Sequence, residues 1–548
     1  MDYKALADLL FSDVVNPTSY YEKLYPKRDL PEGAIVARIA PSPTGFIHLG
    51  NLFNAIIGER LAHQSSGVFF LRIEDTDQKR EVPNAISVIH KMMNYYDICF
   101  DEGRFSDSDK GNYGPYKQRD RALIYHTYAK ELVEKGLAYP CFCEEDYLDN
   151  IRKIQSENKE EIGYYGKYAI CHELTYEDIK KKIENHEPYV IRFRASLSKI
   201  NETIEIPDGI KGVLKFKRNI IDFVLLKRDG IPTYHFAHAV DDHLMHTTHV
   251  TRGEEWISSL PIHYDLFEAL GFTKPIYCHT PLLMKQDGEI RRKFSKRKDP
   301  EFSLEFYQKA GYTKEAVWVY LLSVLNSNFE EWWNNNKTES YLNFKFTIQH
   351  LSRSGALFDQ AKLDYLSKEI LSLKSSAFIY EELLSWALQF DKSFSEILIN
   401  KKELAYEAIS LGRNDKNPRK DIHSFSQARE FYSFYFDEIF ERSQDTINLN
   451  KEMQLQIINE FATSFSFNDD ASIFSSKIKE IAVKHNFCIK MKEYQATKDS
   501  YNGAISDIYE LIRIMVTGRK NSPDIYSIIH VLGENTTRNR INSYINLL

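Results

Sequence analysis

The chain has 548 residues, 43% of them hydrophobic and 27% charged, with a formal net charge of -7. At roughly 100–200 residues per domain this is enough for several buried cores, and the acidic balance excludes a uniformly basic nucleic-acid coat while leaving room for a local basic surface. Six scattered cysteines do not make a disulfide framework, and no apolar run approaches the ~18–20 residues of a membrane span.

Residues 1–32 read as a polar N-terminal extension. Its mixed acids and bases, without a long apolar core, fit neither a signal peptide nor a transit peptide, so a cytosolic protein is expected. "AIVARIA" is predicted as a strand, and "NLFNAIIGERLAHQ" has the apolar spacing of a helix. "VFFLRIE" and "AISVIHKMMNYY" repeat the pair, and this order argues for a parallel sheet with crossover helices over residues 33–140. Short, charged, Tyr-rich pieces make residues 141–213 an insertion. "DFVLLKRDGIPTYHFAHAVDDH" restores strands around a DG turn, a hairpin signal, within residues 214–265. Beyond about residue 265 the helical period is expected to dominate, through a segment 266–349 and a helical region 350–548. "AREFYSFYFDEIF" and "DIYELIRIMV" are predicted as amphipathic helices and "WWNNNKTES" as a polar loop, while Cys99, Cys278 and Cys488 read as lone core residues.

Three stretches carry chemistry. In "RIAPSPTGFIHLGN", Arg38 to Asn51, a buried strand runs through a loop into a helix start. Ligands of open α/β folds bind outside the carboxyl ends of the strands, and a helix N-terminus there offers free N–H groups to an anion. His48 would donate to that ligand, and Gly50 would let a base or a phosphate come close. The alternative is a capped helix with a surface histidine. "KQDGEIRRKFSKRKDPE", Lys285 to Glu301, carries seven basic side chains against two acids before Asp299. Gly288 and Ser295 predict a mobile loop whose lysines act as movable charges for a polyphosphate; the alternative is a solvated surface run. "PCFCEED" and "KYAICHEL" set Cys141, Cys143 and Cys171 near Tyr164, Tyr165, Tyr168 and His172. Such a set can make a tetrahedral zinc site, or three reduced cysteines in a small buried knot.

With these stretches in place the sequence resembles the class I aminoacyl-tRNA synthetases, and within them the bacterial glutamyl type. The matching stretches are "RIAPSPTGFIHLGN", "LRIEDTDQKR", "GPYKQRDR", "DFVLLKRDGIPTYHFAHAVDDH", "HVTRGEEW" and "RKFSKRKDP", in family order over about residues 34–310. "IRIMVTGRKNSPDIYSIIHVLG" resembles the family's anticodon-binding end more weakly. Two motifs depart from the family pattern: the HIGH motif ends in Asn51, and KMSKS appears as "KFSKR", which keeps Lys293, Ser295 and Lys296.

The resemblance implies an α/β fold: a Rossmann-like catalytic domain with an acceptor-end insertion, then an all-α anticodon-binding region. It implies an ATP-dependent ligase that joins L-glutamate to tRNA(Glu) with Mg²⁺, acting as a monomer away from membranes. The implied glutamate contacts are Arg38, Ala40, Ser42, Glu74, Tyr234, His238 and Arg252. Arg38 would explain itself, because an arginine fork recognises a carboxylate at two points; the alternative is an ion pair with Asp75 or Asp77. The implied nucleotide contacts are Thr44, His48, Gly50, Glu255 and Lys296, with His48, Asn51, Lys293 and Lys296 assisting the chemistry. Zinc is implied for some members at Cys141, Cys143 and Cys171, with His172 or one of Tyr164, Tyr165 and Tyr168 as fourth ligand. A glutamyl-queuosine type enzyme would lack the helical region, a glutaminyl enzyme suits "RIEDTD" less well, and a non-catalytic tRNA-binding paralogue would not need His48 and Lys296. A plain nucleotidylyltransferase would not need the long tail.

Overall fold

The computed structural model describes residues 1–77, 81–199, 201–295, 297–443, 445–496 and 500–548. The chain forms two compact units: Met1–Phe306 with Trp318–Asp359, and Tyr307–Val317 with Gln360–Leu548.

The first unit holds strands β1 (Val36–Ile39), β2 (Val68–Leu71), β3 (Glu102–Arg104), β4 (Asp109–Lys110), β5 (Ala138–Cys141), β6 (Val190–Phe193) and β7 (Thr203–Asp208). They are followed by β8 (Gly212–Lys217), β9 (Val224–Leu226), β10 (His249–Gly253), β11 (Ile276–Thr280), β12 (Leu283–Asp287), β13 (Ile290–Lys293) and β14 (Ala356–Leu357). β1, β2 and β3 run parallel, with β4 antiparallel at the edge. β10, β11 and β7 are also parallel, and β7 and β8 form a hairpin.

The two sheets meet at one point. The Thr248 N–H donates to the Val36 carbonyl, and the Val36 N–H to Thr248 Oγ1, each at 2.9 Å. β1 and β10 therefore stand side by side, and their carboxyl ends carry Arg38 and Arg252. The helix Leu49–Gln64 packs across β1, β2 and β10. Its apolar residues are spread all round, as a helix covered on most sides requires.

Several expectations are corrected. The N-terminal extension is not a loose polar segment. It forms helices Tyr3–Leu10 and Thr18–Leu24, and Leu6, Ala7 and Phe11 are buried. Arg28 then reaches inward, donating to the Met245 carbonyl at 3.0 Å and to Glu102 at 2.9 and 3.0 Å. The expected hairpin after β9 is reduced to a single bridge, Leu226 to Pro232. Its second arm is the helix Tyr234–Leu244, whose buried Phe236, Ala237, Val240 and Leu244 follow the helical period. Strands β11 to β14 interrupt the region expected to be helical, because runs of two to five residues are too short to show a period. "WWNNNKTES" starts as the helix Phe329–Asn335 with Trp333 buried, and Cys99 is exposed rather than in a core.

The second unit is helical: Gln360–Leu373, Ser376–Phe390, Lys392–Asn400, Lys402–Ser410, Lys451–Ser464, Ala471–Lys484, Ile505–Thr517 and Ile525–Ile545. "AREFYSFYFDEIF" is no long helix. Only Ala428–Tyr432 is α-helical, and short 3-10 turns follow. Tyr432, Phe434, Tyr435 and Phe436 are all buried there, which one stripe of a regular helix does not allow. Among the described residues no helix is long and apolar enough to cross a membrane.

Candidate active site

Arg38 lies at the third position of β1 and is 3% exposed. Its guanidinium meets Asp242 at two points, Nε to Oδ1 at 3.3 Å and Nη2 to Oδ2 at 3.1 Å. The carboxylate it pairs with is thus Asp242, which sequence reasoning did not name, while Asp75 accepts from the Arg119 backbone at 2.9 Å. Asp242 is shared: Arg72 donates to Oδ1 at 2.6 Å, and His238 Nδ1 stands 2.7 Å from Oδ2. Burial alone would raise the Asp242 carboxyl, but Arg38 and Arg72 outweigh it and hold it well below the usual range. One residue back, Asp241 accepts from Arg121 at 2.7 Å, Tyr125 at 2.8 Å and Gln118 at 2.9 Å.

The other expected glutamate contacts divide. Glu74 gives one oxygen to Arg72 at 3.2 Å, and burial, only partly offset by Arg72 and Arg38, raises its pKa. Tyr234, His238 and Asp242 recur at i, i+4 and i+8, so one helix face carries all three. Tyr234 accepts from Arg252 Nη1 at 3.3 Å. His238 is fully buried, its Nδ1 faces Asp242, and its Nε2 faces the Tyr277 hydroxyl at 2.9 Å. With both nitrogens engaged it braces the pocket wall. Ala40 is half-buried and Ser42 exposed at the end of β1, where the chain turns through a Thr44 N–H to Ser42 carbonyl bond at 2.8 Å.

The nucleotide motifs are joined by a column of rings. His48 precedes the helix Leu49–Gln64 and stacks on Phe302 at 4.5 Å and 12°. Phe302 stacks in turn on Phe294 of "KFSKR" at 5.2 Å and 8°. Phe302 is a further residue that sequence reasoning missed. Asn51 accepts from the His48 backbone N–H at 3.1 Å and so caps the helix. A Cβ on Gly50 would fall 3.0 Å from His48 Nδ1. In this structure the small residue leaves room for the imidazole, a different reason from the one expected.

The first part of the basic run is the hairpin β12–β13 rather than a loop, and Asp299 clamps it by accepting from Arg292 at 2.6 and 2.8 Å, Lys285 at 2.9 Å and the Ser295 N–H at 2.7 Å. Lys293 and Glu255 are exposed. Lys296 lies outside the described residues.

A family model described as tRNA synthetases class I (E and Q), catalytic domain, matches residues 34–365, and one described as an anticodon binding domain matches residues 419–545. A glutamate–tRNA ligase of Acetivibrio thermocellus is 48% identical over 545 residues, 99% of either chain. The chain belongs to the glutamate–tRNA ligase family. A family member from Clostridium beijerinckii is 44% identical over the whole of both chains. The crystal structure of a glutamate tRNA ligase from Elizabethkingia meningosepticum, in complex with its amino acid, is 26% identical with a TM-score of 0.74, covering 94% of this chain and 99% of that one.

Two further places bear on the family's chemistry. Cys141, Cys143 and Cys171 bring their sulfurs within 4.8 Å of one another. Cys143 and Cys171 are 3.6 Å apart, close to the ~3.8 Å that two 2.3 Å bonds make at a tetrahedral centre. The Tyr164 hydroxyl is 3.3 Å from Cys143 Sγ. His172 Nε2 stands 2.9 Å from Asp222, and the group of ligand atoms that lie together among the described residues is the three cysteines alone. Tyr165 donates to the Glu161 carbonyl and Tyr168 to Glu160, each at 2.7 Å, which leaves Tyr164 as the oxygen in place.

In the helical unit, the basic side chains of "GRNDKNPRKD" (412–421) and "TGRKNSPD" (517–524) are largely spent on the fold. Arg413 donates to the Ile409 and Leu371 carbonyls at 2.9 and 2.7 Å, and Arg419 pairs with Asp421 at 2.8 Å. Arg519 bonds Ser433 at 2.7 Å, and Lys520 pairs with Glu510 at 3.2 Å. These side chains tie off helix ends and loops. Lys416 is exposed.

Proposed function

We propose that the first unit activates L-glutamate with ATP, taken as its magnesium complex, and passes the glutamyl group to tRNA(Glu). The observation that carries this reading is the pair of buried arginines on adjacent strands: both reach one face of the helix Tyr234–Leu244, Arg38 at Asp242 and Arg252 at Tyr234. Glutamate carries two carboxylates, and unpaired charge in a dry pocket costs several kcal/mol. Arg38 and Arg252 answer them, Glu74 accepts the α-ammonium, and Tyr234, Ala40 and Ser42 shape the pocket.

The α-carboxylate attacks the α-phosphorus of ATP in line, forming glutamyl-adenylate as pyrophosphate leaves. A terminal ribose hydroxyl of the tRNA then attacks the carbonyl carbon and AMP leaves. Both steps depend on positioning and charge stabilisation rather than on a covalent enzyme nucleophile. His48 and Lys296 stabilise the phosphates with Lys293 in support, and Thr44, Gly50 and Glu255 shape the nucleotide site. The helical unit reads the anticodon arm, where splayed loop bases offer edges and faces to a protein. The enzyme works in the cytoplasm as a monomer. ATP–pyrophosphate exchange with each amino acid, with and without tRNA, tests the assignment; exchange that does not depend on glutamate would refute it.

We also propose zinc at Cys141, Cys143 and Cys171 with Tyr164 completing the set. Such an ion would tie the insertion's turns together, a structural rather than a chemical role. Metal analysis of protein purified without chelator is expected to give close to one zinc per chain. A ratio near zero with a folded insertion would leave three reduced thiols instead.

A further inference from the structure

Arg252 differs from the other buried arginines around the pocket. Arg38, Arg72 and Arg121 each donate directly to a carboxylate, Asp242 or Asp241. Arg252 is 5% exposed and meets only neutral acceptors. These are His279 Nε2 at 2.9 Å, the Tyr234 hydroxyl and His263 Nδ1 at 3.3 Å, and the Trp256 carbonyl at 3.5 Å. Among the described residues no carboxylate stands within ion-pair distance of it.

One acid reaches Arg252 through an imidazole. An arginine Nε–H can only donate, so His279 Nε2 must accept and its proton must sit on Nδ1. That proton points at Asp208 Oδ2, 2.6 Å away. Asp208 also accepts the backbone N–H groups of Ile210, Lys211 and His279 at 2.9, 2.8 and 3.2 Å. Burial would raise its pKa, but His279 and these donors outweigh that and keep the carboxylate charged. Burial holds the His279 imidazole neutral. His279 lies on β11 and Asp208 at the end of β7, so the arrangement rests on neighbouring strands.

We propose that His279 and Asp208 are positioning residues that aim Arg252 while leaving its charge without an adjacent carboxylate, so that a substrate carboxylate supplies the counter-charge. A carboxylate in contact, as Asp242 is with Arg38, offsets part of the guanidinium's charge before the substrate arrives, and Arg252 keeps the whole of it. An imidazole passes on the orientation set by Asp208 and adds no charge of its own. The proposal rests on reading this pocket as the glutamate site.

The test uses the intact chain with two substitutions at one position. His279→Leu removes the acceptor of the Arg252 Nε–H, whereas His279→Gln can present an amide oxygen to it. Pyrophosphate exchange gives KM for L-glutamate and for ATP separately, and thermal unfolding without ligand reports the fold. His279→Leu is expected to raise the glutamate KM by about tenfold or more, the scale of one hydrogen bond to a charged group, with the ATP KM unchanged. His279→Gln is expected to recover most of that loss at a similar unfolding temperature. An unchanged glutamate KM in His279→Leu, equal losses for glutamate and ATP, or no recovery in His279→Gln would overturn the positioning role. Absence of glutamate-dependent exchange in the unsubstituted chain would overturn the glutamate reading itself, and the proposal with it.

Discussion

Arg38→Gln is expected to leave the first unit folded and to remove most of its glutamate activation. The fold survives because Asp242 keeps Arg72 at 2.6 Å and His238 at 2.7 Å. The activity goes because an amide cannot offer the charged two-point edge that a carboxylate requires. A site built to pair a buried group rejects a mismatched partner by up to about 10⁴-fold, and glutamate-dependent exchange is expected to fall toward that range. Asp242→Ala makes the contrast. It leaves Arg38 and Arg72 together without their shared carboxylate, and breaking a buried pair costs about 3–5 kcal/mol. Urea unfolding with exchange kinetics separates the two outcomes. Glutamate affinity and turnover that survive in Arg38→Gln would show that Arg38 only serves Asp242.

Lys296→Ala should lower adenylate formation by about 10²–10³-fold, the usual loss when one preorganised donor to a developing charge is removed. Two residues before it in sequence are described: the Ser295 N–H is held by Asp299 at 2.7 Å, and Phe294 is stacked on Phe302. Asp299→Ala is the matching probe. It removes the acceptor shared by Lys285, Arg292 and the Ser295 N–H, leaving Lys285 on Glu301 and Arg292 on Asp287, so it should raise the ATP KM more than it lowers the rate of the bound complex. Single-turnover kinetics with labelled ATP distinguish the two. A Lys296→Ala enzyme with near-normal rates would remove the hairpin from the chemistry.

Where an element is a continuous apolar run or a long helix, the sequence declared it. β1, the helix Leu49–Gln64 and the helix Ile505–Thr517 stand close to where their patterns put them. The motifs around Arg38, His48 and Lys293 were equally readable, since each combines residue types that a plain surface or core does not use. What stayed hidden depends on partners distant in sequence. Asp242 and Arg72 look like ordinary charges until the fold brings them together from 170 residues apart. His238 shows its bracing role only when Tyr277 is seen to occupy its far nitrogen. His279 and Asp208 gave no local signal, because 71 residues separate them. The aromatic run around Tyr432 imitated an amphipathic helix through composition alone, and the short strands after residue 265 had too few residues to display a period.

The anchoring of the first thirty residues also has a consequence in time. Tyr25 donates to the Gly114 carbonyl 89 positions away, and Arg28 donates to the Met245 carbonyl 217 positions away. Synthesis proceeds at about 5–20 residues per second, so roughly 10–45 seconds pass between the emergence of Arg28 and that of its carbonyl partner. For the early part of that interval, until Gly114 and the helix Ala122–Glu134 against which the first two helices pack have emerged, Leu6, Phe11 and Tyr25, all buried in the finished unit, lack their cover. Segments that wait for distant partners fold slowly and expose apolar surface meanwhile. Until those partners emerge, this segment offers its apolar residues to a chaperone at the ribosome exit.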